Sequence, residues 1–168
     1  MEISIRRFSE QDSVDDLTEL IRSAYRRLAA MGLRFLGTWQ DAELTKKRLE
    51  AGECYVAVVG GVVVGTITLY LPESHRECAH YDLPGVAYFG QFAVDPALQE
   101  KGIGGTLLDF VEQRAAEVGC LELALDTAES AHHLIAYYEK RGYRFVQYIQ
   151  WESTNYRSVV MSKPLAYL

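Results

Sequence analysis

Seven consecutive residues, Gln99-Glu100-Lys101-Gly102-Ile103-Gly104-Gly105, place three glycines in four positions between an apolar run and a run with helical spacing. Glycine loses more conformational freedom on ordering than any other residue, so the cluster calls for a special φ or a close backbone approach. At a helix entry, bare backbone lets several N–H groups converge on an anion, and the helix end adds partial positive charge. A pyrophosphate is the natural guest, and Lys101 is placed to add a charge-assisted contact. The same glycines would equally serve a tight loop with close helix–sheet packing. A P-loop, Gly-x-x-x-x-Gly-Lys-Ser/Thr, does not occur in the chain. A dinucleotide fingerprint matches at Gly102 and Gly104 and fails at Leu107, although Asp126 lies where a ribose contact would be sought. A nicotinamide-dependent oxidoreductase would also need its glycines directly after a strand, whereas residues 95–101 intervene.

The stretch "FAVDPALQEKGIGGTLLDFVEQRA" resembles the acetyl-coenzyme A motif of the GNAT superfamily of N-acetyltransferases. That motif reads Gln/Arg-x-x-Gly-x-Gly/Ala, and Gln99, Gly102 and Gly104 match it. Further on, "LIAYYEKRGYRFV" is similar to the family's second signature, an aromatic–Tyr–Glu–Lys run before Gly–aromatic. The resemblance implies a mixed α/β fold: a central, mostly antiparallel sheet with one splayed strand pair, flanked by helices. It implies acetyl-coenzyme A as cosubstrate and direct transfer of its acetyl group to a primary amine on a small molecule or peptide. Backbone of Phe92-Ala93-Val94 would hold the pantetheine arm and polarise the thioester carbonyl. Gln99, Glu100, Lys101, Gly102, Ile103, Gly104, Gly105 and Thr106 would cradle the pyrophosphate, and the Tyr138 phenol would protonate the departing thiolate.

Two positions depart from the family pattern. Ala131 stands seven residues before Tyr138, where an asparagine often contacts the cofactor; Ser130, His132 and His133 are the neighbours that could replace it. Tyr88 stands where many members carry a glutamate general base. The base matters, because an alkyl amine of pKa about 10.4 is only about one part in a thousand neutral at pH 7. Glu73, His75, His80 and Asp82 precede that strand and are candidates, histidine having the best-matched pKa. With both departures, a non-catalytic acyl-coenzyme A-binding module is the alternative.

Other chemistry-bearing residues point less far. His75, Cys78 and His80 are zinc-ligand types without a fourth ligand at a convincing spacing. His132 and His133 are adjacent, so a helix points them about 100° apart. No metal is expected. Tyr25, Met31, Phe35 and Trp39 cluster early in the chain; Tyr25 and Trp39, each with an apolar body and a polar tip, are expected to line an acceptor pocket with Tyr88.

These residues need elements to position them. "ISIRRF" alternates as a first strand. A helix follows over "VDDLTELIRSAYRRLAA", capped by Asp12 or Ser13 and ended by Gly32. A second, short helix is expected at "DAELTKKRLEA". "CYVAVVGGVVVGTITLYL" is a hairpin turning at Gly60-Gly61. "VAYFGQFAV" is a strand, "GIGGTLLDFVEQRAAEVG" a helix, "LELALD" a buried strand and "SAHHLIAYYEKRG" a helix. "YRFVQYI" and "YRSVVMS" are final strands, the second stopped by Pro164. The order βααβββαβαββ, with early hairpins and a later β-α-β unit, predicts a mixed sheet.

The totals set outer limits. A chain of 168 residues, 49% hydrophobic and 24% charged, is expected to form one domain, 1–168, with a real core. A net charge of −6 argues against nucleic acid and mildly favours cationic small molecules. Three widely spaced cysteines fit a reducing compartment, and no apolar run approaches the roughly 20 residues of a membrane span. "MEISIRRFSE" has no signal-peptide core. A cytoplasmic protein, with a homodimer as the ordinary prior, is the expectation.

Overall fold

The computed structural model describes residues 1–73 and 77–166. Its frame is one seven-stranded sheet in the order β1-β2-β3-β4-β5-β7-β6. The strands are β1 (Ser4–Arg7), β2 (Glu53–Val59), β3 (Val62–Tyr70), β4 (Val86–Val94), β5 (Glu122–Ala128), β6 (Arg144–Ile149) and β7 (Ser158–Pro164). The helices are α1 (Val14–Ala24), α2 (Arg26–Ala30), α3 (Ala42–Glu50), α4 (Ile103–Glu117) and α5 (His132–Lys140). Every neighbouring pair is antiparallel except β4–β5. The mixed sheet expected from the sequence is therefore present, and a uniformly parallel dinucleotide-binding sheet is not.

Several local expectations are refined by side-chain chemistry. Ser13 caps α1, accepting from the Asp16 N–H at 3.1 Å. Asp12 instead takes both guanidinium nitrogens of Arg6 at 2.7 Å. The first expected helix is divided at Tyr25, which at φ −88° and ψ 0° ends α1 and leads directly into α2. The Gly60-Gly61 turn has φ 57° and 79°, the left-handed pair that a two-residue hairpin requires. β7 ends at Pro164, as expected, and that residue still pairs with Glu122.

α4 covers one face of the sheet. Ile103, Leu107, Leu108, Val111 and Ala115 are each no more than 1% exposed, and every large one contributes about 1.5–3 kcal/mol by burial. Its approach depends on Gly65 in β3, where a Cβ would stand 3.0 Å from Leu107 Cδ1 and 3.2 Å from Ile103 Cγ2. α1 packs on the opposite face through Leu17 and Ile21 against Cys54, Val56 and Ala93.

The feature that makes room for a site lies in β4. Thr68 pairs with Gly90 and Thr66 with Ala93, so Gln91 and Phe92 together face Ile67 alone. Gln91 sits at φ 48°, which costs a non-glycine residue on the order of 1–3 kcal/mol. Its buried amide is held in compensation, accepting from Gln40 Nε2 at 2.8 Å and donating to Thr68 Oγ1 at 3.3 Å. The bulge bends β4, and its parallel pairing with β5 ends at Tyr88–Ala124. Beyond that point the two strands diverge.

Candidate active site

The divergence opens a cavity of about 700 Å3. Backbone forms one end. The chain turns through left-handed Glu100 (φ 64°) and Gly102 (φ 86°), and α4 begins with no side-chain cap. Thr106 N–H bonds the Gly102 carbonyl at 3.0 Å, so the N–H groups of Ile103, Gly104 and Gly105 find no acceptor among the described residues. No atom lies within 4 Å of where a Cβ on Gly102 would stand. Gln99, Glu100, Gly102, Ile103, Gly104 and Gly105 all line the cavity, as do Phe92, Ala93 and Val94 on β4. The Gln99 amide donates to the Val94 carbonyl at 3.2 Å and so ties the loop to β4. Lys101 and Thr106 do not belong to the wall. Lys101 is exposed, and the Thr106 hydroxyl turns back to the Gly102 carbonyl at 2.9 Å.

Arg141 stands beside this helix entry; read from the sequence alone it is only part of a basic helix end. Its Nη1 would be 3.5 Å from a Cβ on Gly105. It pairs with Asp109 and, at 3.8 Å, with Glu112, yet its buried Nε has no partner among the described residues. Three unclaimed N–H groups beside a guanidinium with an unused donor fit a pyrophosphate.

Tyr138 lines the same cavity and is 8% exposed. Its ring packs against Phe89 at 6.0 Å and Tyr143 at 5.8 Å, and its hydroxyl has no hydrogen-bond partner among the described residues. Burial pushes its pKa well above 10, with the neighbouring Tyr25, Tyr137 and Asp126 adding to the rise. Ala131 is fully buried at the start of α5. Of the three neighbours considered in its place, His133 lines the cavity, while Ser130 and His132 do not. Burial, then the charge of Arg27, lowers the His133 pKa and favours its neutral form.

Besides Glu100 in the turn before α4, the carboxylate that lines the cavity is Asp126, two residues past the last β4–β5 pair. Tyr81 donates to its Oδ1 at 2.6 Å and Trp151 Nε1 to its Oδ2 at 2.9 Å. Tyr88, expected at the pocket, stands behind this wall instead. It is 3% exposed and stacked between Tyr81 (4.3 Å, 4°) and Tyr70 (4.8 Å, 17°), so it braces the tyrosine that holds Asp126. Glu73, His80 and Asp82 lie off the cavity, and His80 bonds Glu122 at 2.9 Å. His75, and with it the His75–Cys78–His80 grouping, lies outside the described residues; Cys78 is buried beside Tyr81. In the sequence "LELALD" carries two acids, Glu122 and Asp126, and residue type alone does not tell which of them faces a cavity.

Tyr25 lines the cavity as expected, its ring resting 2.8–3.0 Å from where a Cβ on Gly37 would stand. Trp39 does not. It is 40% exposed, with the Arg34 guanidinium 4.8 Å over its ring. A wall missed in the sequence comes from the β6–β7 connection: Trp151, Ser153, Thr154 and Tyr156. Asn155 fastens that loop, donating to the Gly32 carbonyl and accepting from the Arg34 N–H, both at 2.8 Å. Such a polar connection has no periodicity to read.

An uncapped helix entry beside a splayed strand pair, opening onto a chamber that holds a carboxylate and a buried phenol, agrees with the acyl-coenzyme A-dependent transferase that the sequence motifs resemble. Residues 14–143 match the model of the Acetyltransferase (GNAT) family, and the chain belongs to that family. S-(2-succino)cysteine N-acetyltransferase of Bacillus subtilis (strain 168) is 32% identical over 139 residues, 82% of each chain. The ribosomal-protein-S18-alanine N-acetyltransferase of Escherichia coli superposes with a TM-score of 0.75 at 16% identity, covering 99% of this chain and 96% of that one. A GNAT family acetyltransferase from Elizabethkingia anophelis with acetyl-CoA bound gives 0.69 at 20% identity, covering 97% and 98%. This chain is thus a GNAT N-acetyltransferase, of a family that moves acetyl from acetyl-coenzyme A to an amine. No helix among the described residues is long and apolar enough to cross a membrane.

Proposed function

We propose that residues 1–168 act as one domain in which Asp126 and Tyr138 are the base and acid of acetyl transfer. The observation that carries this reading is a single cavity bounded by the uncapped entry of α4, the unpaired run of β4, Asp126 and Tyr138. Acetyl-coenzyme A supplies a thioester whose acyl group is open to a neutral amine. The N–H groups of Ile103, Gly104 and Gly105, with Arg141, hold its pyrophosphate. Backbone in Phe92-Ala93-Val94, free of a strand partner on its β5 side, holds the pantetheine arm and meets negative charge developing on the thioester oxygen.

Asp126 is fixed by two donors, which leaves its remaining lone pairs for the amine. It holds the incoming ammonium and takes its proton, so that the nitrogen meets the thioester carbonyl with its lone pair free. Tyr138 stays protonated because burial opposes its phenolate, and it donates to the sulfur as the carbon–sulfur bond breaks. The same burial raises the proton affinity of the thiolate, which keeps that donation from running uphill. Lys101, Thr106, Trp39 and Tyr88 have no direct role in this reading. Three buried cysteines outside any disulfide, Cys54, Cys78 and Cys120, suit a cytoplasmic setting.

Thermal melts with acetyl-coenzyme A, coenzyme A and NAD, each alone, test the cradle. A ligand at about 100 times its Kd adds about 2.7 kcal/mol, a shift of several degrees. Shifts with both coenzyme A ligands and none with NAD are expected; a shift with NAD alone would overturn the assignment. An amine panel headed by S-(2-succino)cysteine, the acceptor in the Bacillus subtilis relative's name, then tests transfer.

A further inference from the structure

Three charged side chains that line the cavity, Arg27, Arg48 and Glu100, have no part in the chemistry above. Arg48, on α3, lines the wall. Its Nη1 donates to Gln40 Oε1 at 2.6 Å, and its Nη2 lies 3.2 Å from where a Cβ on Gly90 would stand, against the start of the β4 bulge. Arg6, Arg114, Arg141 and Arg157 each pair with a carboxylate. Arg48 has none within 4.0 Å among the described residues, nor does Arg27, but Arg27 is exposed whereas Arg48 is half-buried. A guanidinium is charged at every working pH and carries five N–H donors. Held in a partly enclosed cavity, it is costly unless an anion joins it.

Its aim is fixed. Gln40 is fully buried and gives its amide hydrogens to Gln91 Oε1 and Thr45 Oγ1, each at 2.8 Å, so only its oxygen is left to receive Arg48. The network that bends β4 through Gln91 therefore also orients the guanidinium. Tyr25 and Tyr156, both in the wall, lie in the field of both Arg48 and Asp126. The chamber thus offers a fixed cation and a fixed carboxylate at separate places.

We infer that the acceptor is an amine bearing a carboxylate, of the amino-acid class, with Arg48 binding that carboxylate while Asp126 holds the amine. This rests on the cavity being the acceptor chamber of an acetyl transfer. Diamines and other polycationic acceptors put a second positive charge against Arg48 and are disfavoured.

The test is calorimetric titration of the coenzyme A-saturated protein with matched pairs: methionine, glutamate and alanine, each against its α-amide. The acids should bind at least about tenfold more tightly than their amides, the scale of a bidentate guanidinium–carboxylate contact. Arg48→Gln should bring each pair to within about twofold. Equal or weaker binding of the acids, no binding of any acid, or a preference that survives in Arg48→Gln would each overturn the inference. The wild-type ratios decide by themselves if the variant does not fold. Turnover is read separately, as thiol released from acetyl-coenzyme A. Acid-selective binding without thiol release contradicts acetyl transfer and leaves the carboxylate site standing. Transfer that favours the amides does the reverse.

Discussion

At the scale of single residues, Tyr138 and Asp126 do opposite proton work in one chamber, and each is prepared differently. Tyr138 is kept neutral by burial among Phe89, Tyr137 and Tyr143. Tyr138→Phe removes the donor and keeps the ring, so kcat should fall at least about tenfold while the Kd for acetyl-coenzyme A stays within about twofold. Steady-state kinetics with a parallel binding titration checks this, and an unchanged kcat would remove the acid role. Tyr138 was legible because its neighbours form a contiguous signature. Asp126 stood out in the sequence only as the place for a ribose contact in a dinucleotide fold, since its role depends on Tyr81 and Trp151, 45 and 25 residues away in the chain. Tyr88 shows the converse. Its place in the sequence suggested the pocket, but a stack with Tyr70 and Tyr81 turns it into support.

At the scale of elements, the glycine-rich turn and the bulge differ in how openly they are written. Gly102 at φ 86° and the bare first turn of α4 follow from residue type alone. Gln91 at φ 48° does not, because a tertiary network of Gln40, Thr68 and Thr45 imposes it. A Cβ at Gly104 would make ordinary contacts with Phe92 (3.4 Å) and Val94 (3.7 Å), so the position tolerates a side chain sterically. Gly104→Leu should therefore fold but fill the cradle, and acetyl-coenzyme A should no longer raise its Tm. A retained shift would place the cofactor elsewhere. Asn155 joins the β6–β7 loop to the turn after α2 through two hydrogen bonds worth about 1 kcal/mol each. Asn155→Ala should loosen that wall, raising KM for the amine about fivefold or more without weakening acetyl-coenzyme A binding, as initial-rate measurements varying each substrate would show.

At the scale of the whole molecule, the alternation of strands and helices was legible, and so was the mixed character of the sheet. The placement of β7 between β5 and β6 was not, because pairing order is decided by long-range packing. Nor did a net charge of −6 reveal that Arg27, Arg48 and Arg141 line the cavity, since a total says nothing about where charges collect. The same arithmetic governs acid stability. Glu53 accepts two hydrogen bonds from Arg114 at 3.0 Å and one from Tyr55 at 2.6 Å, which hold its pKa at about 2 against an ordinary 4.5. Asp12 is likewise held at about 2, chiefly by Arg6. Both folded values lie below the unfolded ones, so the unfolded chain binds more protons on acidification. Their stabilisation is complete above about pH 4.5 and is lost as pH falls towards 2. The Tm should drop steeply across that window, and Glu53→Gln, which removes one of the titrations, should drop less steeply when followed by calorimetry. Equal slopes would mean that Glu53 is not among the groups that matter.

The most direct measurement is the pH dependence of thiol release from acetyl-coenzyme A, with a turned-over amine, by the wild type and by Asp126→Asn. A general base supplies about 100-fold or more, and its loss matters least where the amine deprotonates unaided, near pH 10. The variant should therefore fall at least about 100-fold in kcat/KM at neutral pH and recover towards the wild type as pH rises. A variant equal to the wild type at neutral pH, or a deficit that stays constant with pH, would contradict the assignment of Asp126 as the residue that takes the proton.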